Sequence, residues 1–528
     1  MKRLALLCLA LLTVFALAGS ALAAYVPEPF DGYPYDDQPD AVIEKDVIVV
    51  MGSSNFDPSY PSGSYLQAVA KLFMEQNPNI EVQLNYGSWG DLWNKVGVML
   101  GNRQGPDILV GPREYLLAPG RGGGQWEDIL TVPDEYYFDE FEKAVMGPAI
   151  LESCRFPGRE GYMIWPWTNY IDGTGVINGD MVREAGYDPL EIQKNGWTWD
   201  DFLKIARVAT KDTNNDGKID QWGSYFGPTV DSDGTRLALT ANWCSPIALR
   251  LKAEGQTFID IKTGDFFLDK DAFLKGFTWI QKLVYEEKVI PAESIGASTD
   301  ECRDAFVQGK TMFCAAGSDI LDEVAERNRL IDKGLETGKK VDAYLVPRPK
   351  PDKNSPNHPI RVYVYGYYHF KQEPYKGDAH TRNVFKFAKF LANPVFQPLL
   401  AHSAFIPSDM RVWMGEDAWF PGILGSDANA QYMEQIAQTW HPRLDLYITM
   451  ATTTDVQNAL TKFRQEVLTP TSEEVYLNKI TPQQAVDKLQ AALDKIAQDI
   501  PKDKRLTSEA PAMVKDLEDF AKKTGQKI

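Results

Sequence analysis

The chain has 528 residues and a formal net charge of −18. So acidic a protein repels phosphate, which makes it a poor partner for nucleic acid or an anionic membrane and leaves solubility as the expected use of the charge. Its length exceeds what one hydrophobic core can serve and requires two or more domains.

At the start, Lys2 and Arg3 precede an apolar stretch, Leu4 to Ala18, and Ala21-Leu22-Ala23 forms an A-x-A cleavage signal. Residues 1–23 therefore read as a secretory signal peptide, with a mature start at Ala24. Its loss takes Lys2 and Arg3 away and moves the net charge from −18 to −20. Serine stands at position 20, where a lipidated cysteine would sit, so a soluble periplasmic protein without a lipid anchor is expected. No later stretch approaches the roughly 20 apolar residues of a membrane span. Cys154, Cys244, Cys302 and Cys314 remain after cleavage. An oxidising compartment permits disulfides, and Cys302 and Cys314 could pair or stay buried as thiols.

Residues 24–45 form an acidic, proline-rich arm. Val47–Met51 then reads as a strand. Leu66, Val69, Ala70 and Phe73 recur at helical spacing until Pro78. Glu81–Asn85 alternates as a second strand, Leu92, Val96, Met99 and Leu100 stripe a second helix, and Asp107–Val110 is a third strand. This order predicts a parallel sheet flanked by helices. Farther on, Phe273, Phe277, Ile280 and Leu283 mark a helix that ends before Pro291. Thr481-Pro482-Gln483-Gln484 is a capping box ahead of a stripe of Ala485, Leu489, Ala492 and Ile496.

Several segments together carry a family resemblance. They are Phe73-Met74-Glu75-Gln76-Asn77-Pro78, Gly105-Pro106-Asp107-Ile108-Leu109, Met163-Ile164-Trp165-Pro166, Ile177-Asn178-Gly179-Asp180 and Ala185-Gly186-Tyr187. Thr198-Trp199-Asp200-Asp201-Phe202, Phe306 to Met312 and the Thr481 helix complete the series, from about residue 46 to 500. In this order they resemble the extracellular solute-binding proteins of carbohydrate ABC importers, the maltodextrin-binding type. The resemblance implies an α/β, two-lobed periplasmic-binding-protein fold with hinge crossovers and a ligand cleft between the lobes. It puts the crossovers near 167–172, 362–367 and 405–410. The first lobe would be 46–168 plus 367–404, and the second 169–365 plus 405–528. The implied function is to capture a sugar, with size and aromatic content hinting at an oligosaccharide, and to deliver it to the importer's membrane permease. No enzymatic activity and a monomer are expected. The arm, the tail after 500 and the length depart from the family.

Sugars present apolar C–H faces ringed by hydroxyls, so their sites need aromatic platforms with polar groups at the edges. Trp89 lies in a loop before a helix, and Trp167, Asn169 and Tyr170 run into the first expected crossover. Trp243 follows Ala241-Asn242, and Tyr365 and Tyr367 occupy the second crossover. Each aromatic could equally be core, and Trp93, Trp199 and Trp279 are read as packing. By family position, Arg113 and Glu114 after the third strand, and Ser318 and Asp319 after the Thr311–Ala316 strand, face the cleft. An Arg fork or a carboxylate there can bind two adjacent hydroxyls; the competing reading is an exposed loop charge.

Asp212, Asn214, Asp216, Lys218 and Asp220 place oxygen ligands at calcium-loop spacing, with Lys218 offering its carbonyl and Gly217 making the turn. The residue closing such a loop in some relatives is the neutral Gln221 here, and position 12 is Gly223 instead of Glu. A structural calcium and a metal-free Asx-rich turn are the two readings. The five histidines lack zinc spacing, and no phosphate loop or G-x-S-x-G elbow occurs. A binding protein is therefore preferred over the rival class, an exported glycoside hydrolase or polysaccharide lyase. A same-fold receptor for a peptide or polyol is the third reading.

Overall fold

Two mixed sheets, each with parallel and antiparallel pairs, organise the described residues. The computed structural model describes residues 44–112 except 54–55, 59–60 and 88, scattered positions between 130 and 155, and residues 161–225 and 258–355 except 298. It further describes 357, 361–370, 373–393, 396, 406–407, 428–429, 431–432 and 451–524. The signal peptide and nearly all of the arm lie outside these residues, as do Arg113, Glu114, Trp243 and Cys244.

The chain opens with β1 (Asp46–Ser53), α1 (Pro61–Gln76), β2 (Ile80–Gly87), α2 (Trp89–Gly101) and β3 (Ile108–Pro112). These match the alternation read from the sequence. Leu66, Val69, Ala70 and Phe73 are buried on α1, the three larger side chains each contributing roughly 1.5–3 kcal/mol by leaving water. β4 (Trp165–Asp172) then joins the same sheet, and Gly173 separates it from β5 (Thr174–Asn178), which belongs to the second sheet. Gly173 has φ 86°, in the left-handed region that glycine enters without steric cost.

The second unit continues through α3 (Gly179–Glu184), α4 (Pro189–Asn195), α5 (Trp199–Ala209) and β6 (Trp222–Ser224). A capping box forms at the start of α5, with Thr198 and Asp201 satisfying each other's backbone amides. α6 (Lys270–Gln281) runs on into a π-helical turn at Lys282–Glu286, and α7 (Thr299–Val307), β7 (Thr311–Cys314), α8 (Ile320–Asp332) and β8 (Ala343–Pro347) follow. The chain then returns to the first sheet with β9 (Arg361–Tyr368), α9 (Asp378–Ala392) and β10 (Ile406–Pro407). α10 (Thr454–Lys462), α11 (Thr469–Tyr476), α12 (Pro482–Asp499) and α13 (Ala510–Thr524) complete it.

The first sheet has the order β10-β4-β9-β3-β1-β2; the second has the order β6-β7-β5-β8. β4 pairs antiparallel with β9 from Trp165↔Tyr367 to Asp172↔Arg361, and β10 pairs with β4 at Ile406↔Asn169. The segments expected to cross between lobes therefore lie side by side in one ladder. Gly366 is glycine for a steric reason, because a Cβ there would sit 2.2 Å from the Trp165 carbonyl oxygen.

Three hydrophobic cores result, one per sheet and a third among the C-terminal helices. α6 serves two of them, turning Trp279 and Ile280 to the second sheet's core and Phe273 and Phe277 to the helical one. Trp199 and Trp279 stack at 4.2 Å with planes 4° apart, in the packing role read for them. The capping box at Thr481 forms, and the buried stripe of α12 runs through Ala485, Leu489 and Leu493. Ala492 and Ile496 pack at its margin. Cys302 and Cys314 are buried thiols without a disulfide between them, which resolves that alternative. Among the described residues no helix is long and apolar enough to cross a membrane.

Candidate ligand-binding site

Strand polarity brings the expected site loops to one edge of each sheet. β1, β2 and β3 are parallel, so Ser53, Gly87 and Pro112 end on a common edge. β9 approaches Pro112 with Tyr365, and β4 leaves by the same edge with Asp172 opposite Arg361. Beyond Gly173 the second sheet begins, where Thr174 lies opposite Pro347 and Val176 opposite Cys314. In open α/β sheets, ligands bind at the carboxyl ends of parallel strands.

On the first edge, Trp89 starts α2 directly after β2. Arg113 and Glu114 follow Pro112 outside the described residues. Asn169 and Tyr170 lie on β4, paired in backbone with Val364 and Tyr363; their side chains are outside the description. On the second edge, Ser318 is fully buried and Asp319 opens α8.

Trp167, Tyr365 and Tyr367, read as ligand platforms, are placed differently. All three are buried in the core of the first sheet, at 0%, 5% and 0% exposure. Trp167 stacks between Tyr65 at 5.6 Å and Tyr367 at 5.7 Å, with Phe56 at 5.0 Å. A register shift between Pro166 and Thr168 makes Trp167 the additional residue of a bulge, and bulges re-aim side chains. In this conformation the three rings pack beneath α1, whose Tyr65 hydroxyl donates to the Leu391 carbonyl at 2.8 Å.

Some of the buried side-chain atoms that lack a hydrogen-bond partner belong to residues at or beside these edges. In the first lobe, Ser53 Oγ and Tyr86 Oη are buried without a hydrogen-bond partner. In the second, Asp319 Oδ1 is in the same state. Burial, then the nearby Asp57 charge, pushes the Tyr86 hydroxyl up to about 12, so it stays a donor. Asp319 Oδ2 meets Arg303 Nη2 at 2.9 Å, and the same nitrogen lies 2.6 Å from Glu323 Oε1. Arg348 Nε donates to the Thr174 carbonyl at 3.0 Å, bracing the start of β5. Sequence reasoning missed Ser53, Tyr86, Arg303 and Arg348. Arg348 had one signal, a charge directly after an apolar strand; Arg303 had none, because its partners arise from the packing of α7 on α8.

The calcium-spaced loop lies before β6, at the sheet edge opposite Thr174. Asp212 accepts from the backbone amides of Asn215 and Gly217, each at 2.7 Å, and Asn214 accepts from Asp216 at 2.9 Å. Asp216 accepts from the Lys218 amide at 2.8 Å, and Asp220 from Thr213 at 2.8 Å. The amide of Gly217 holds the Asp212 carboxyl below its usual range. Gln221 donates its side-chain amide to the Ala209 carbonyl at 2.7 Å. These are Asx-turn contacts, and among the described residues no three His, Cys, Asp or Glu side chains converge as a metal cage.

Solved structures of the same architecture exist. The maltose/maltodextrin-binding domain from Bdellovibrio bacteriovorus, bound to maltotriose, is 19% identical with a TM-score of 0.59, covering 86% of this chain and 100% of that one. The GacH receptor of Streptomyces glaucescens, solved unliganded and with acarbose, is 13% identical with a TM-score of 0.58, covering 86% and 99%. An ABC transporter solute-binding protein from Thermotoga lettingae, bound to α-D-tagatose, is 15% identical with a TM-score of 0.60, covering 86% and 100%. The fold is thus the two-lobed periplasmic binding fold. The family model for bacterial extracellular solute-binding proteins matches residues 57–398. By that match the chain belongs to the bacterial extracellular solute-binding proteins, which bind and do not transform their solutes.

Proposed function

We propose that this protein captures a carbohydrate between the facing sheet edges and hands it to the permease of an ABC importer. The observation that carries the reading is that three of the buried side-chain atoms without a hydrogen-bond partner belong to residues at or beside those edges. Ser53 Oγ, Tyr86 Oη and Asp319 Oδ1 are the described polar atoms best situated for hydroxyls. Buried polar groups left without partners are costly, and a hydroxylated ligand relieves that cost. Trp89, Arg113, Glu114, Asn169, Tyr170, Trp243 and Ser318 are the accompanying candidates. Relatives solved with maltotriose and tagatose make sugars the first probes. The protein is proposed to act as a periplasmic monomer, exported by the leader ending at Ala23.

The test is thermal shift and calorimetry with maltotriose, mannotriose, tagatose and ribitol. A ligand held at 100 times its Kd stabilises the native state by about 2.7 kcal/mol, a readily measured shift. No response to any sugar, or a response to ribitol alone, overturns the carbohydrate reading. Cleavage of a bound sugar during long incubation, followed by chromatography, overturns the receptor reading.

We also propose a structural calcium in the 212–220 loop, with Asp212, Asn214, Asp216, the Lys218 carbonyl, Asp220 and Gln221 as ligands. The support is the alternation of oxygen-bearing residues. Calcium added to metal-stripped protein should raise its melting temperature in wild type and leave Asp216→Ala unchanged. Identical melting of wild type with and without calcium overturns it.

A further inference from the structure

We infer that Arg303 is a positioning residue, holding the Asp319 carboxylate so that Oδ1 remains open to a hydroxyl of the bound solute. The inference rests on the carbohydrate reading above. Arg303 lies in α7 and is largely buried, with its side chain 13% exposed. Its guanidinium serves two carboxylates, with Nη2 at 2.9 Å from Asp319 Oδ2 and 2.6 Å from Glu323 Oε1. Nε donates to the same Glu323 oxygen at 3.2 Å.

Three features separate this arrangement from an ordinary structural ion pair. Asp319 stands at the N-cap of α8, where an Asp side chain normally accepts from the first-turn amides, yet it makes no capping bond. Arg303 holds it away from that use. Its second oxygen is buried and without a partner, although a structural pair gains most when both carboxylate oxygens are engaged. One cation also faces two carboxylates, with Asp304 nearby, and burial ahead of these charges pushes the Glu323 carboxyl up. Neutral donors such as sugar hydroxyls can satisfy the remaining oxygen without importing a counter-charge. The location agrees, since Ala315–Asp319 follows Cys314, whose strand partner Val176 lies just beyond Gly173.

The experiment uses the full chain with maltotriose and mannotriose in titration calorimetry. Asp319→Asn and Arg303→Lys should each weaken the better probe by roughly 10- to 100-fold, because Lys keeps the charge and loses the fork. The double variant should bind no worse than the weaker single one, since both act through the same oxygen. Glu323→Gln should leave affinity within about threefold. Arg303→Ala strands two partly buried carboxylates and is expected to fold less well, so Arg303→Ala/Glu323→Gln serves in its place, folded and weak in binding. Normal affinity in Asp319→Asn, or losses that add in the double variant, overturns the assignment while leaving the carbohydrate reading intact. Wild type that binds neither probe overturns both.

Discussion

Two buried ion clusters, one in each lobe, differ in how completely their bonds are used. At the base of the first sheet, His380 places Nδ1 2.6 Å from Asp46 Oδ1 and Nε2 3.0 Å from Asp107 Oδ1. Lys376 adds a bond to Asp107 at 2.7 Å, the Val49 amide another at 2.8 Å, and Asn383 holds Asp46 at 2.7 Å. With a carboxylate against each ring nitrogen, the imidazole is a doubly donating cation. Two positive and two negative groups balance, and all four carboxylate oxygens accept a bond. Among the described residues, the Arg303 cluster sets one cation against two carboxylates and leaves Asp319 Oδ1 unspent. The first arrangement ties α9 to β1 and β3, away from the ligand edge; the second stands on that edge with capacity in reserve. Completeness of bonding separates a fastening from a binding surface.

The largest expected effect comes from breaking the complete cluster. His380→Gln removes the cation shared by two buried carboxylates and should cost about 3–5 kcal/mol in urea unfolding. A loss below about 1 kcal/mol would show that the cluster is not a fastening.

The pH dependence sharpens the contrast. Burial opposes the His380 charge, but bonds to Asp107 and Asp46 outweigh it and lift the group to about 9. Its stabilisation is therefore complete below the unfolded value near 6.5 and is lost as pH rises through 9. For Asp107, burial is outweighed by His380 and Lys376, and the carboxyl falls to about 2. Its contribution is present above the unfolded value near 3.9 and is lost as pH falls through 2. His369 works in the opposite sense to His380: burial pulls it down to about 4, and Trp165 donates to its Nε2 at 2.9 Å. That contribution is complete above 6.5 and fades as pH falls through 4. Melting followed from pH 6.5 to 9.5 should show wild type losing on the order of 2 kcal/mol, and His380→Gln should lack this alkaline limb. Parallel curves would remove His380 as its source.

The smallest effect should come from the incomplete cluster. Glu323→Gln removes one of two carboxylates competing for Arg303 and should change stability by less than about 1 kcal/mol, in either direction. A loss like that of His380→Gln would erase the distinction between the clusters.

Much of the frame was legible because periodicity reports burial directly. The stripe from Leu66 to Phe73, the capping box at Thr481 and the strand at Val47 are local signals, and local physics decided them. The aromatic platforms were less legible. Trp167 and Tyr367 lie in the expected crossover strands, but a bulge, Tyr65 of α1 and Phe56 just before that helix turn the stretch into core. Nothing within the Trp165–Tyr170 segment announces which helix will cover it. Trp167→Ala is accordingly expected to destabilise by about 3–5 kcal/mol, as Trp199→Ala should, instead of lowering affinity alone. The histidines were set aside because their spacing suits no metal. His380 acts through Asp46 and Asp107, hundreds of residues away in sequence, a distance that no local pattern spans.

The stacked indoles of Trp199 and Trp279 have a spectroscopic consequence. At 4.2 Å with nearly parallel ring planes, their electronic transitions couple, and the expected outcome is an exciton signal in circular dichroism that isolated tryptophans lack. Trp199 opens α5 and Trp279 lies in α6, so the signal survives only while those helices stay docked on the second sheet. Because neither ring belongs to the proposed site, the signal offers a label-free gauge of that lobe's integrity, readable while a ligand comes and goes.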